Sequence, residues 1–193
     1  MLGVILCGGQ SSRMGTDKGL LPVHTTTWVQ QAAATMTALS LPFVVSVNEG
    51  QYDQYNILFT QEQLVKDNTA LQLKGPLLGV LSVHDQYPSE DVLVLACDMP
   101  LMDIAMPRQL ISLYKKGNTD AYVFTNDDEP EPLCAIYTAK GLAHIMQLYN
   151  NNQLTRHSMK FMLEQLTVQQ QPVLPEQKKY FQNFNAHAQL NGL

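Results

Sequence analysis

The chain has few cysteines and no long apolar run, and each of these shortages excludes a class of protein. Its three cysteines, Cys7, Cys97 and Cys134, are odd in number and show neither a Cys-x-x-Cys motif nor a zinc-type spacing with histidine. A disulfide framework and a structural zinc site are therefore not expected. We interpret the three thiols as small buried hydrophobic groups in a reducing compartment.

Membrane and nucleic-acid partners are not expected either. No apolar stretch approaches the length of about 18 residues that a membrane span needs, and the amino terminus lacks the basic segment and cleavage site of a signal peptide. A net charge of −5 and a pI near 5.4 argue against nucleic acid. We expect a cytoplasmic protein, and its 193 residues predict a single domain over residues 1–193.

Three common catalytic signatures are also missing. A Walker loop requires Gly-Lys-Ser/Thr, but Lys18 lies between Asp17 and Gly19. The glycine spacing of the dinucleotide-binding fingerprint is not met, and the chain contains no Gly-x-Ser-x-Gly elbow. Its five histidines are scattered without ligand spacing. The sequence thus offers no candidate nucleophile.

The most informative segment is residues 6–21, where an apolar strand becomes a glycine-rich loop, Leu-Cys-Gly-Gly-Gln-Ser-Ser-Arg-Met-Gly-Thr-Asp-Lys-Gly-Leu-Leu. Gly8 and Gly9 allow a ligand to approach the backbone, whose N–H groups can form an anion nest, and Arg13 and Lys18 add positive charge. Open α/β sheets bind ligands at the carboxyl ends of their strands, so the loop is predicted to hold a polyphosphate. A plain surface turn would explain the glycines but not the two cations.

Asp98 is the second candidate group, because it follows the apolar strand 92–96 in an otherwise neutral turn. Mg²⁺ in phosphoryl-transfer sites is usually held by one or two carboxylates together with phosphate oxygens. We therefore predict that Asp98 is a magnesium ligand. The alternative is a turn aspartate that only caps its neighbours.

The remaining pattern alternates between strands and helices. Strands are predicted over residues 1–6, 43–47, 57–60, 64–65, 92–96, 121–125 and 133–137. Helices are predicted from residue 28 and over residues 76–87, 105–116, 139–149 and 155–166, and the tail 178–193 is expected to hold a short strand and a helical turn. This order predicts an α/β fold with a doubly wound, mostly parallel sheet and helices on both faces.

The loop resembles, residue for residue, the signature Leu-x-Gly-Gly-x-Ser-x-Arg-Met-Gly-x-Asp-Lys of the nucleotidyltransferases that include the molybdenum cofactor guanylyltransferases. Segments 64–67, 74–79, 97–100, 131–137 and 183–186 resemble further motifs of this family in the same order. The resemblance covers nearly the whole chain and implies a single-domain, Rossmann-like nucleotidyltransferase fold.

The resemblance also implies a reaction. GMP would be transferred from GTP to the terminal phosphate of molybdenum-bound molybdopterin, with release of pyrophosphate and formation of molybdopterin guanine dinucleotide. Mg²⁺ is the expected cofactor, and molybdoenzymes or other cofactor-biosynthesis proteins are expected as further partners.

By the same resemblance, catalytic roles fall to Arg13, Lys18 and Asp98, with Asp98 as the metal ligand. Guanine is expected against the backbone of residues 6–8, with its Watson–Crick edge read by amides and a carboxylate. The expected nucleotide-binding residues are Leu6, Cys7, Gly8, Gly9, Lys18, Asn48, Asp67 and Asp98. Many family members have Asn-x-Asn after the second strand, but this chain has Ser46-Val47-Asn48, so Asn48 is the expected amide contact.

Two alternatives stay open at this point. A cytidylyltransferase or a sugar-phosphate nucleotidyltransferase would share the fold, although Cys7-Gly8-Gly9 favours guanine over the Ala-Gly typical of the cytidylyl branch. A non-catalytic protein that binds and delivers a nucleotide or pterin belongs to another class. The retention of Arg13, Lys18 and Asp98 argues against it, because a pure binder needs no metal-binding carboxylate beside the phosphates.

Overall fold

The computed structural model describes residues 1–8, 17–23 and 25–182, which alternate between strands and helices. The strands are β1 Leu2–Leu6, β2 Pro22–Val23, β3 Thr26–Thr27, β4 Phe43–Val47, β5 Leu64–Lys66, β6 Val92–Ala96, β7 Ala121–Asn126, β8 Glu129–Tyr137 and β9 Val168–Pro172. The α-helices are α1 Trp28–Ala38, α2 Tyr52–Tyr55, α3 Pro76–Gln86, α4 Ala105–Tyr114, α5 Ala139–Asn150 and α6 Met159–Glu164. Short 3₁₀ helices cover Lys18–Leu20, Gln61–Gln63 and Pro175–Phe181.

Seven of these strands form one sheet in the order β5-β4-β1-β6-β8-β7-β9. Strand β1 pairs in parallel with both β4 and β6, and β4 pairs in parallel with β5. Only β8 runs against its two neighbours, β6 and β7. The prediction of a mostly parallel sheet is thus confirmed. A separate two-stranded ribbon pairs β2 with β3.

Both faces of the sheet are covered, which explains why the central strands are apolar on both sides. On one face, Ile5 and Leu95 pack with α1 and α4, including Met36 and Leu110. On the other face, side chains of β1 and β6 pack with residues of α3, α5 and α6. All five residues of β1 and of β6 are buried. The doubly wound arrangement predicted from the sequence is confirmed.

The helices begin where the local sequence supplies a cap. Thr27 accepts from Gln30 N, and the Gln30 side chain accepts from Thr27 N, which completes a capping box for α1. Pro76 occupies the first turn of α3, where a missing N–H is harmless. Ser158 caps α6, so this helix begins at Met159 and not near residue 155 as predicted.

One predicted strand is wrong, and the seven-stranded sheet contains one strand that was not predicted. Residues 57–60 form turns and not a strand, because α2 continues into hydrogen bonds from Leu58 N and Phe59 N to Tyr55 O. Strand β9 was not predicted, because its glutamines occupy an edge position beside β7 and carry no alternating apolar pattern. The tail 178–193 was expected to hold a short strand and then a helical turn, but its first residues belong to the 3₁₀ helix Pro175–Phe181. Residues 183–193 lie outside the described residues.

Candidate functional site

The carboxyl ends of four parallel strands bring the predicted site residues to one edge of the sheet. Leu6 pairs with Ser46 on one side and with Ala96 on the other, and Val47 pairs with Lys66. The chain leaves these strands through Gly8, Asn48, Asp67 and Asp98. The structure therefore gathers at this edge four residues that the sequence places far apart.

Lys18 lies at the same edge and forms an ion pair with Asp98. The distance from Lys18 Nζ to Asp98 Oδ2 is 3.8 Å, and about a quarter of each side chain is exposed, 23% and 24%. Burial raises the pKa of Asp98, and the charge of Lys18 acts against this rise. The lysine therefore helps to keep a half-enclosed carboxylate ionised.

The second oxygen of Asp98 is the group best suited to bind a cation. Oδ1 is buried and has no hydrogen-bond partner among the residues that the structure describes. A buried carboxylate oxygen without a partner is unfavourable, and a bound cation would remove the penalty. Within residues 1–8, 17–23 and 25–182 no group of three metal-ligating side chains is found. One carboxylate plus phosphate oxygens is an ordinary way to hold Mg²⁺, so the residues fit this ion.

Asp67 faces the space above Gly8. A Cβ atom placed on Gly8 would lie 3.4 Å from Asp67 Oδ2, which shows how closely the carboxylate approaches the glycine. Ser46 Oγ donates a hydrogen bond of 3.3 Å to Asp67 Oδ1. Burial raises the pKa of Asp67 to about 6. This carboxylate can accept hydrogen bonds from a flat ligand that lies against Gly8.

The peptide groups of Cys7 already have partners inside the protein. Cys7 N donates to Ser46 O at 3.1 Å, and Cys7 O accepts from Gln51 Nε2 at 2.9 Å. Leu6 is buried, and its carbonyl accepts from Cys97 N at 3.1 Å. A base placed at this edge would therefore meet the backbone at Gly8, while Leu6 and Cys7 form the support beneath it.

Asn48 has a structural role in addition to its predicted one. Its Oδ1 atom accepts from Gln51 N at 3.1 Å, and Gln51 Oε1 accepts from Asn48 N at 2.9 Å. This reciprocal pair closes the turn between β4 and α2. Of the remaining predicted site residues, Gly9 and Arg13 lie outside the described residues.

Sequence reasoning did not identify Gln51 and Tyr55. Both side chains donate hydrogen bonds to the carboxylate of Asp17, the residue before Lys18. The available signal was weak: a glutamine three residues after Asn48 and a tyrosine one helical turn later. Neither residue type is distinctive in a polar segment.

These features define the class of protein. An open α/β sheet with a glycine, a lysine and a carboxylate at its carboxyl edge is the arrangement that the resemblance to nucleotidyltransferases predicted. The sequence matches the family described as the MobA-like NTP transferase domain over residues 3–170. The chain belongs to this family, as its motifs predicted.

Curated relatives extend over most of the chain. A "Probable molybdenum cofactor guanylyltransferase" of Methanothermobacter thermautotrophicus is 30% identical over 152 residues, which are 77% of this chain and 76% of that protein. A protein of the same name from Flavobacterium johnsoniae is 27% identical over 191 residues, or 98% of this chain and 94% of the relative.

A solved structure has the same fold. The molybdopterin-guanine dinucleotide biosynthesis protein A of Archaeoglobus fulgidus matches with a TM-score of 0.79 at 20% identity. The match covers 99% of this chain and 95% of that one. The sequence prediction of a nucleotidyltransferase fold is therefore confirmed.

Proposed function

We propose that this enzyme transfers GMP from GTP to the terminal phosphate of molybdenum-bound molybdopterin. An oxygen of the acceptor phosphate attacks the α-phosphorus of GTP, and the bond from that phosphorus to the bridging oxygen of the β-phosphate breaks. The products are pyrophosphate and molybdopterin guanine dinucleotide. The names of the curated relatives support this substrate pair.

The observation that carries the proposal is the Lys18–Asp98 pair at the same edge of the sheet as Gly8 and Asp67. Transfer of a nucleotidyl group needs alignment and charge neutralisation more than covalent chemistry, because the attacking oxygen is already anionic. The described part of the site offers a cation, a carboxylate and a glycine beside which a ligand can lie, and these groups meet the needs of such a transfer. A protein that only bound and delivered a cofactor would gain nothing from a buried carboxylate with one unsatisfied oxygen.

Each residue has a role in this scheme. Asp98 would hold Mg²⁺, which, when bound, neutralises phosphate charge and fixes the geometry of the reacting phosphate. Lys18 lies close enough to Asp98 to contact phosphate oxygens of the same nucleotide as a point charge. Arg13, from the same loop, is assigned to the phosphates by its motif. No step requires a protein group to form a covalent intermediate.

Base recognition belongs to the opposite end of the site. We assign guanine to the space above Gly8, where Asp67 can accept from the N1–H and the amino group. Asn48 stands at the neighbouring strand end and contributes an amide. Cytosine has no N1–H donor, so a carboxylate at this position favours guanine.

The proposal includes a single domain over residues 1–193 and a cytoplasmic location. Molybdoenzymes or other cofactor-biosynthesis proteins are the proposed further partners. Within the described residues, no helix is long and apolar enough to cross a membrane.

A two-part experiment tests the proposal. Thermal shifts with GTP, CTP, ATP and UTP in the presence of magnesium identify the nucleotide, because a ligand that binds the folded state raises the melting temperature. Pyrophosphate release is then measured with GTP and molybdenum-loaded molybdopterin, with and without the pterin. Pterin-dependent release from GTP is the expected result. Preference for CTP would contradict the choice of base, and GTP binding without release would indicate a delivery protein.

A further inference from the structure

The carboxylate of Asp17 is held by three donors although it faces no ligand in our scheme. Tyr55 Oη donates to Asp17 Oδ1 at 2.9 Å, and Gln51 Nε2 donates to Oδ2 at 2.5 Å. The third donor is Gly19 N, at 2.9 Å from Oδ1. Burial raises the pKa of the Tyr55 hydroxyl, so this group stays protonated and donates.

Gln51 and Tyr55 also anchor this contact in the protein interior. Tyr55 is fully buried and Gln51 is 8% exposed. Besides Asp17, the Gln51 amide binds Cys7 O and Asn48 N, which terminate the neighbouring strands β1 and β4. The glutamine therefore fixes Asp17 relative to two strand ends of the site.

The same contact fixes the position of the Lys18 backbone. Asp17 is the amino-terminal cap of the 3₁₀ helix Lys18–Leu20, so the backbone of Lys18 follows directly from the position of this carboxylate. Gly19 lies against the tyrosine, because a Cβ atom on it would be only 2.1 Å from Tyr55 Oη. The turn can therefore pack here only with a glycine after the lysine, and the lysine side chain extends toward Asp98.

We propose that Gln51 and Tyr55 are positioning residues that act through Asp17 to place the Lys18 ammonium for the β- and γ-phosphates of the nucleotide. This inference rests on the proposed function. It makes α2, which contributes no group to the reacting atoms, a determinant of triphosphate recognition. A residue that served only the stability of the fold would affect all nucleotides alike.

Tyr55→Phe tests the inference by removing one hydroxyl. We expect its affinity for GTP to fall about tenfold, the size expected for a lost hydrogen bond to a charged group, and its affinity for GMP to stay within about twofold. Tyr137→Phe is the matched control, because Tyr137 is also fully buried and donates a single hydrogen bond, to Pro132 O at 2.8 Å. The control should lower the melting temperature and leave the ratio of GTP to GMP affinities unchanged.

A double-mutant cycle with Lys18→Ala shows whether the effect passes through the lysine. If it does, Tyr55→Phe should change triphosphate affinity by less than about twofold in the Lys18→Ala background, because coupled residues are not additive. An equal loss in both backgrounds, or an equal loss for GTP and GMP, would overturn the inference. Gln51→Met, which keeps the chain length and removes the amide, should change the ratio in the same direction and replaces Tyr55→Phe if that variant does not fold.

The wild-type protein separates this inference from the proposed function. For the wild type and the variants, the ratio of triphosphate to monophosphate affinity is measured once with GTP and GMP and once with CTP and CMP. A preference for CTP over GTP overturns the guanylyltransferase proposal, while the ratio of triphosphate to monophosphate affinity still decides the role of Tyr55. A wild type that binds no triphosphate overturns both.

Discussion

Lys18 and Asp98 face each other across the carboxyl edge of the sheet, with 3.8 Å between Nζ and Oδ2. The lysine comes from the turn after the glycine-rich loop, and the aspartate follows strand β6. Their pairing places a positive and a negative group side by side, where one can neutralise phosphate charge and the other can hold a cation. Removal of the aspartate charge should therefore affect turnover with magnesium, and removal of the lysine charge should affect the binding of phosphates.

Asp98→Asn should leave the fold intact and reduce magnesium-dependent turnover by about a hundredfold or more, a loss common for electrostatic groups of this kind. The substitution is nearly isosteric, but it removes the negative charge that would retain the metal. Pyrophosphate release and a melting curve are the measurements. Near-normal turnover with a normal melting curve would mean that Asp98 is only a turn residue.

Lys18→Ala should weaken the binding of GTP more than the binding of GMP, because lysine acts as a point charge on the outer phosphates. Isothermal titration with both nucleotides measures the difference. Lys140→Ala is a suitable control, since Lys140 forms an exposed ion pair with Asp120, before β7, at the opposite edge of the sheet. Equal losses for GTP and GMP in Lys18→Ala would place the side chain away from the β- and γ-phosphates.

Gly8→Ala should lower kcat/KM for GTP more than for CTP. The added Cβ would stand 3.4 Å from Asp67 Oδ2, an ordinary contact, so the protein itself can accommodate the methyl group. A purine lying in this space would lose room and its hydrogen bonds to the carboxylate. The ratio of kcat/KM for the two nucleotides is the readout, with the fold checked by melting. An unchanged ratio would place base selection away from the space between Gly8 and Asp67, at Asn48.

Asp67→Asn should raise the melting temperature at pH 7.5 by more than at pH 5. Burial raises the pKa of Asp67 from an ordinary 3.8 to about 6, so the folded state binds a proton as the pH falls through this window while the unfolded state does not. The wild type therefore gains stability as the pH falls from 6 toward 4, and the advantage of the uncharged variant shrinks. Melting curves at several pH values check the sign. A difference that is constant with pH would show an unperturbed carboxylate.

The strand-end placement of Gly8 and Asp98 was predictable because its signals are local. An apolar run on both faces identifies a covered parallel strand, and the residue after it must lie at the ligand edge. The register of the strands then brings these ends together without further information.

The support of Asp17 was not predictable in this way. Helix α2 has only four residues, and the meaning of Gln51 and Tyr55 depends on contacts with a turn far away in the sequence. The β7–β8 hairpin also carried no usual signal, because Asp127 and Asp128 adopt positive φ angles of 50° and 64° where glycine is more common. Strand β9 depends on its place beside β7 and not on an apolar pattern.

The reversal of β8 has an evolutionary consequence. Its last pairing with β6 joins Leu95 to Cys134, so residues 129–133 extend past the carboxyl end of β6 as one arm of the β7–β8 hairpin. A hairpin returns the chain at once, and lengthening its arm adds little closure entropy. Natural variation at this arm can therefore reshape the wall beside Asp98 while the strand order and the pairing of β1 with β6 stay as they are. Under the proposed function, such variation would alter the acceptor side of the site and leave the proposed nucleotide side unchanged.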